Sequence, residues 1–193
     1  TYKITNKASG KVVDVSGVST SNGARIHQWD WANGNNQKWV VESVGSGLYK
    51  LTAVHSGKVL DVVDASNANG KEIQQWDYFG NANQQWQIQD AGSGYFKIIA
   101  SHSNKVLEVP GSSTSNGTKL VQSNSGSGDH QLWSFENLSG ARLGEVSDEQ
   151  LTPSLSIYPN PVQNGTFTVS LPQVEGGVSL KLTDLSGKAI GLW

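Results

Sequence analysis

Two groups of residues in this chain combine side chains suited to a ligand rich in hydroxyl groups: Asp14, Trp29 and Asn36, and then Asp61, Trp76 and Asn83. A carboxylate accepts charge-assisted hydrogen bonds from two neighbouring hydroxyls, and an amide adds one donor and one acceptor. An indole face takes the weakly apolar C–H side of a pyranose ring. Each group therefore holds an acceptor, a donor and a platform for one sugar ring. His27 and Gln74 stand two residues before the two tryptophans. On an extended strand they point to the same side as the ring and can join each group.

Each member of the second group lies 47 residues after its counterpart in the first, and the spacing extends to most of the chain. Tyr2-Lys3-Ile4-Thr5 returns as Tyr49-Lys50-Leu51-Thr52 and as Phe96-Lys97-Ile98-Ile99, while Trp39, Trp86 and Trp133 keep the same step, as do Gln37, Gln84 and Gln131. Three units cover residues 1 to about 141 without an insertion or deletion. Self-similarity at such a period marks a repeat architecture.

Within a unit the apolar period is two: Ile4, then Val13 and Val15 around Asp14, then Ile26, then Trp39 and Val41 around Val40. Each unit reads as four short strands. Asn22-Gly23, Asn69-Gly70 and Asn116-Gly117 are pairs that tight hairpins prefer, and Gly10, Gly57 and Asn104 stand where φ is expected to be positive. A propeller closes with roughly four to eight blades, and three are present here. Three four-stranded units suit a closed, threefold-symmetric barrel, which also removes exposed sheet edges. The expected fold is all-β, a β-trefoil over 1–137. A linker at 138–154 and a partial β-sandwich segment at 155–193 follow it.

Composition narrows the classes. The chain has 193 residues with fourteen basic and sixteen acidic side chains, a net charge of −2. That balance gives no field for a phosphate backbone, so nucleic acid is excluded as a partner. No apolar run approaches the length of a membrane span. Without any Cys, disulfides, thiolate metal sites and Cys nucleophiles are all excluded. No signal peptide is present in the sequence, and the absence of Met marks it as a mature product, an excised module or a fragment.

Asn36-Gln37-Lys38-Trp39, Asn83-Gln84-Gln85-Trp86 and His130-Gln131-Leu132-Trp133 resemble the Gln-x-Trp signature of the ricin B-chain-like lectins, three times in register. The resemblance implies a β-trefoil carbohydrate-binding module of the kind often attached to a glycoside hydrolase. It also implies that the acid of the Asp-Val step, the ring ending the third strand and the Asn before Gln-x-Trp hold the sugar. Those positions are Asp14, Trp29 and Asn36 in repeat one, and Asp61, Trp76 and Asn83 in repeat two. Galactose-binding relatives commonly carry Cys where this chain has Trp31 and Tyr78, so these two rings are expected either to fill that space or to enlarge the platform.

The repeats serve as an internal control. The tryptophans and glutamines of Gln-x-Trp persist in all three units and are expected to be scaffold, each Gln amide satisfying buried backbone groups. The ligand set changes in repeat three, where Ser123 stands for Trp29 and Trp76, Ser125 for Trp31 and Tyr78, His130 for the Asn, and Glu108 for the Asp. Losing a core tryptophan would open a cavity costing about 3–5 kcal/mol. Trp29 and Trp76 are therefore expected at the surface, and Glu108 with His130 forms at most a vestigial third site.

Catalysis is not expected. A glycosidase needs two carboxylates about 5–10 Å apart on one bond. Asp14 and Asp61 belong to different lobes, and the pair Asp14 and Asp30 fails because Asp30 sits in a turn-type pattern. The four histidines lack metal-ligand spacing. No cofactor is implied.

After Leu138 the composition turns to that of a linker, with Gly140, Gly144 and Pro153. Leu155-Ser156-Ile157-Tyr158-Pro159-Asn160-Pro161, Phe167-Thr168-Val169-Ser170-Leu171 and the stretch from Val178 to Lys188 then alternate as strands. The Tyr-Pro-Asn-Pro and Thr-Asp-Leu-Ser-Gly-Lys elements resemble the start of the C-terminal sorting domain of the Bacteroidetes type IX secretion system, in truncated form. That resemblance implies export to the cell surface or medium. The function expected is a non-catalytic module that holds a secreted polysaccharide-degrading enzyme, encoded upstream, on a polysaccharide or oligosaccharide through about two sugar sites. The alternative is a trefoil that binds or inhibits another protein.

Overall fold

The computed structural model describes residues 1–138 and, further on, the backbone of four strands, Ser156–Gln163, Thr166–Ser170, Lys181–Thr183 and Ala189–Leu192. Twelve strands precede residue 138, four per repeat as the period-two pattern predicts. Repeat one holds β1 (Tyr2–Asn6), β2 (Val12–Val15), β3 (Ile26–Trp29) and β4 (Trp39–Gly45). Repeat two holds β5 (Leu48–Ala53), β6 (Val59–Val62), β7 (Lys71–Trp76) and β8 (Trp86–Asp90). Repeat three holds β9 (Phe96–Ala100), β10 (Val106–Glu108), β11 (Val121–Ser123) and β12 (Trp133–Asn137).

The first and last strands of the repeats close a barrel. β4 pairs with β5, β8 with β9 and β12 with β1, all antiparallel. Single contacts between Tyr2 and Trp39, Tyr49 and Trp86, and Phe96 and Trp133 complete the ring of six. The middle strands form three hairpins, β2–β3, β6–β7 and β10–β11, joined to one another by backbone hydrogen bonds such as Leu120 N–H to Ile26 O and Ile73 N–H to Leu120 O. No sheet edge of the barrel is left open, which is how a β-trefoil avoids edge-to-edge aggregation. The Asn-Gly glycines take the positive φ their turns require, 81° at Gly23 and 80° at Gly117.

The core lies between barrel and hairpins. Ile4, Leu51 and Ile98 project into it from β1, β5 and β9, and Trp39, Trp86 and Trp133 are fully buried beside them. A buried indole N–H needs an acceptor, and each Nε1 donates to a carbonyl of its own repeat: Val13 O at 3.0 Å, Leu60 O at 3.1 Å and Leu107 O at 3.1 Å. Gln37, Gln84 and Gln131 are buried too, and each closes a loop. Gln37 Nε2 donates to Asp30 O while its Oε1 accepts from Ala32 N–H, and the two later glutamines repeat the pattern.

A second buried set escapes the pattern reading. Gln28, Gln75 and Gln122 are wholly buried, and each accepts from a serine of its own repeat, Ser9, Ser56 or Ser103. Each then donates across to the neighbouring repeat: Gln28 Nε2 to Ser113 O and Ser115 O, Gln75 to Ser19 O and Ser21 O, Gln122 to Ser66 O and Ala68 O. Satisfied networks of this kind hold a unique arrangement of the lobes.

The chain divides into two compact units, Thr1–Ala141 and Arg142–Trp193. In the second, β13 (Ser156–Gln163) pairs antiparallel with β14 (Thr166–Ser170), and β15 (Lys181–Thr183) with β16 (Ala189–Leu192). Of the linker expected at 138–154, all but Leu138 lies outside the described residues.

Candidate functional site

β2 and β3 face each other so that Asp14 is the register partner of His27, and β6 and β7 do the same for Asp61 and Gln74. The short turn before each Gln-x-Trp tryptophan then brings an Asn to the same carboxylate. His27 Nε2 lies 2.8 Å from Asp14 Oδ1, and Asn36 Nδ2 donates to Asp14 Oδ2 at 2.9 Å. In lobe two, Gln74 Nε2 donates to Asp61 Oδ1 at 2.8 Å and Asn83 Nδ2 to Asp61 Oδ2 at 2.9 Å. The same Asn amides also donate to Val15 O and Val62 O. Asn36 Oδ1 and Asn83 Oδ1 accept nothing among the described residues, which leaves each as an acceptor for a ligand.

Both carboxylates are 4% exposed and line open clefts, of about 430 Å³ in lobe one and about 340 Å³ in lobe two. Two oriented donors fix each one in place, so little freedom remains to be lost when a ligand arrives. Burial pushes the Asp61 carboxyl above its ordinary value, and the hydrogen bond from Gln74 opposes that shift in part.

The rings stand at the edge of the clefts. Trp29, at the end of β3, is 42% exposed and stacks on His27 with centroids 5.3 Å apart and planes 25° from parallel. Trp76 ends β7 and is half-buried in the lobe-two cleft. Each ring leans on a glycine of a neighbouring lobe: a Cβ at Gly117 would stand 3.5 Å from the Trp29 ring, and one at Gly23 would stand 3.7 Å from Trp76. The Asn-Gly turns thus stand beside the rings of the next lobe.

Trp31 and Tyr78, expected either to fill the space of the relatives' Cys or to enlarge the platform, line neither cleft. Lys3 Nζ lies 5.3 Å from the Trp31 ring centroid and Lys50 Nζ 5.2 Å from that of Tyr78. β3 and β7 end at Trp29 and Trp76, so Trp31 and Tyr78 stand on the loops that follow. The second ring of the lobe-two cleft is Phe79, 68% exposed, with Ala32 in its place in lobe one. Val18 lines the lobe-one cleft in the position of Ala65. Only their exposure as large apolar groups on polar loops could have singled out Phe79 and Val18 in the sequence.

Lobe three is built differently. The longer Glu108 accepts from the scaffold Gln131 Nε2 at 2.6 Å. His130 lies 3.7 Å from Glu108, and its Nδ1 is 3.0 Å from Ser112 Oγ. With Ser123 at the ring position there is no platform.

Asp30, the candidate second acid, is bound by Lys11 Nζ at 2.6 Å and Asn116 Nδ2 at 2.7 Å. The Lys11 hydrogen bond holds its carboxyl below the usual range, as Lys58 does for Asp77. Both serve the lobe boundary. Among the described residues no cluster of His, Asp or Glu is arranged to hold a metal ion, and no helix is long and apolar enough to cross a membrane.

The family model of ricin-type β-trefoil lectin domain-like sequences matches residues 1–76 and 82–186. A designed threefold-symmetric protein, ThreeFoil, is similar with 44% identity and a TM-score of 0.70, over 71% of this chain and 98% of that one. An exo-β-1,3-galactanase from Clostridium thermocellum, 1,3Gal43A, is 39% identical with a TM-score of 0.68, over 69% of this chain and 29% of the enzyme. The Macrolepiota procera ricin B-like lectin, solved in complex with lactose, is 27% identical with a TM-score of 0.61, over 70% of this chain and 93% of the lectin. No curated protein matches the chain. With its family model matched along most of its length and its threefold barrel, the chain belongs to the ricin-type β-trefoil lectin-like domains.

Proposed function

We propose that lobes one and two each bind one sugar ring, and that the chain is a non-catalytic carbohydrate-binding module with two such sites. The observation that carries this is the repeated assembly of a buried, donor-fixed carboxylate, an amide with a free oxygen and an exposed ring around one open cleft. Asp14 or Asp61 accepts from vicinal hydroxyls, the Asn oxygen accepts from a neighbouring one, and Trp29 or Trp76 takes the C–H face. His27 and Gln74 hold the carboxylates and lie at the edge of the bound ring. Affinity electrophoresis of the full chain through gels carrying soluble polysaccharides tests the reading. Retardation that is lost in Asp14→Ala/Asp61→Ala supports it, and retardation unchanged in that variant overturns it.

The same reading places the module on a polysaccharide-degrading enzyme. The similarity to part of the galactanase supports it, since the matched region there is a fraction of an enzyme chain. The strands after residue 155, with Tyr158-Pro159-Asn160-Pro161 on β13, fit a sorting segment for type IX secretion, and hence an extracellular or cell-surface protein. In the full-length protein the trefoil would occupy 1–137, the linker 138–154 and the sorting segment 155–193. Incubating the purified chain with its best-bound polysaccharide should release no reducing ends above buffer, because no lobe sets two acids across one bond.

A further inference from the structure

One corner of the trefoil is filled in two lobes and open in the third. In lobe one, Lys3 forms an ion pair with Glu136 and covers the Trp31 ring. In lobe two, Lys50 pairs with Glu42 at 3.3 Å and covers Tyr78, whose hydroxyl accepts from Gln85 Nε2 at 3.4 Å. Lobe three keeps the lysine, Lys97, and changes all that surrounds it. Ser125 replaces the ring, Leu132 replaces Gln85, and Gln89, the register partner of Lys97, replaces the acid. Lys97 makes no ion pair and covers no ring among the described residues. Its ammonium donates to Ser125 Oγ at 2.7 Å and Gly126 O at 2.8 Å, and one of its three N–H groups is left over.

Lys97 lines a cleft of about 340 Å³, the size of the lobe-two sugar cleft, together with Gln89, Asp90, Gly126, Ser127 and Leu132. We infer that this cleft binds an acidic monosaccharide, a hexuronate residue. The charges on its walls select that chemistry. No described carboxylate forms an ion pair with Lys97, so a ligand anion is favoured there. Asp90 Oδ1 accepts from Gly92 N–H, and its second oxygen has no partner among the described residues, so it takes a hydroxyl donor. A simple inorganic anion would meet Lys97 but be repelled by Asp90. A neutral sugar would leave the ammonium uncompensated. A uronate brings its carboxylate to one end and hydroxyls to the other, with Leu132 beneath the C–H face. The inference is independent of the lobe-one and lobe-two sites, because none of the residues of those clefts takes part.

Residue-resolved amide NMR of the full chain, titrated with methyl β-D-glucuronide and separately with methyl β-D-glucoside, tests it and reads lobe three apart from the other lobes. The glucuronide should shift the Gln89, Lys97 and Ser127 amides saturably at about millimolar concentration, with the glucoside at least about tenfold weaker there. Lys97→Gln should abolish the lobe-three shifts. Ser125→Tyr/Leu132→Gln, which rebuilds the filled corner of lobe two and leaves Lys97 in place, should abolish them as well. Equal binding of glucoside and glucuronide, saturable lobe-three shifts persisting in Lys97→Gln, or no saturable shift at these amides in the unaltered chain would overturn the inference.

Discussion

Asn22 of lobe one and Asp77 of lobe two clasp each other through two hydrogen bonds: Asn22 Nδ2 donates to Asp77 Oδ2 at 2.8 Å, and the Asp77 N–H donates to Asn22 Oδ1 at 3.0 Å. The clasp sits one residue from Trp76 and one from Gly23, the glycine on which the Trp76 ring leans. Asn116 and Asp30 repeat it between lobes three and one, beside Gly117 and Trp29. Each platform ring is therefore set by a lobe other than its own.

Breaking one clasp should affect one site. Asn22→Ala should weaken sugar binding in lobe two and spare lobe one, and Asn116→Ala should do the reverse, each by about 0.5–1.5 kcal/mol. Site-resolved NMR titration of the two variants with one monosaccharide measures this. Equal weakening of both lobes by either change would show that the clasps do not position the rings.

The tryptophans should divide by role. Trp29→Ala and Trp76→Ala remove exposed or half-buried rings and should abolish binding in their own lobe while shifting Tm by no more than a few degrees. Trp86→Ala empties a fully buried site and breaks the bond to Leu60 O, at a cost of about 3–5 kcal/mol. Thermal melts of the three variants check the division, and a collapse of the fold on Trp29→Ala would contradict the surface placement.

Acid should silence lobe two. Burial holds the Asp61 carboxyl above its ordinary value of 3.8, so the acceptor of the lobe-two site gains its proton at a higher pH than a solvated Asp would. Binding there should fall as pH drops through that raised value. For folding the sign is opposite. The native state holds this proton more tightly than the unfolded chain, so the stability linked to Asp61 is present below about 3.8 and is lost as pH rises through the folded value. Paired calorimetric melts of wild type and Asp61→Asn should show the wild type losing ground to the variant as pH increases. A gain would contradict the shift.

Much of this was legible because the repeats supply their own comparison. The 47-residue step predicts twelve strands, and Trp39, Trp86 and Trp133 are buried as their alternation implies. The Asp, ring and Asn of each set meet because strand register and one turn bring them together within a single repeat. Contacts between repeats are a different matter. Gln28 bonded to Ser113 O, or Asn116 to Asp30, joins residues more than eighty positions apart, and no periodicity within a unit encodes it. Trp31 lies past the end of β3, where strand register no longer sets a side chain's facing, and it lines neither cleft. Phe79 was missed because it sits on a loop, where no periodic rule gives its facing.

Valency tests the central claim most directly. A single shallow site holds a monosaccharide at about millimolar affinity, near −4 kcal/mol, and two on one rigid barrel raise avidity for a polymer by roughly 10²-fold. Isothermal calorimetry of the full chain with a short neutral oligosaccharide should report about two equivalents. Asp14→Ala should remove one and leave the other, and the double change with Asp61→Ala should abolish binding. A third equivalent, or neutral sugar retained by the double variant, would contradict the assignment of the sites to Asp14 and Asp61.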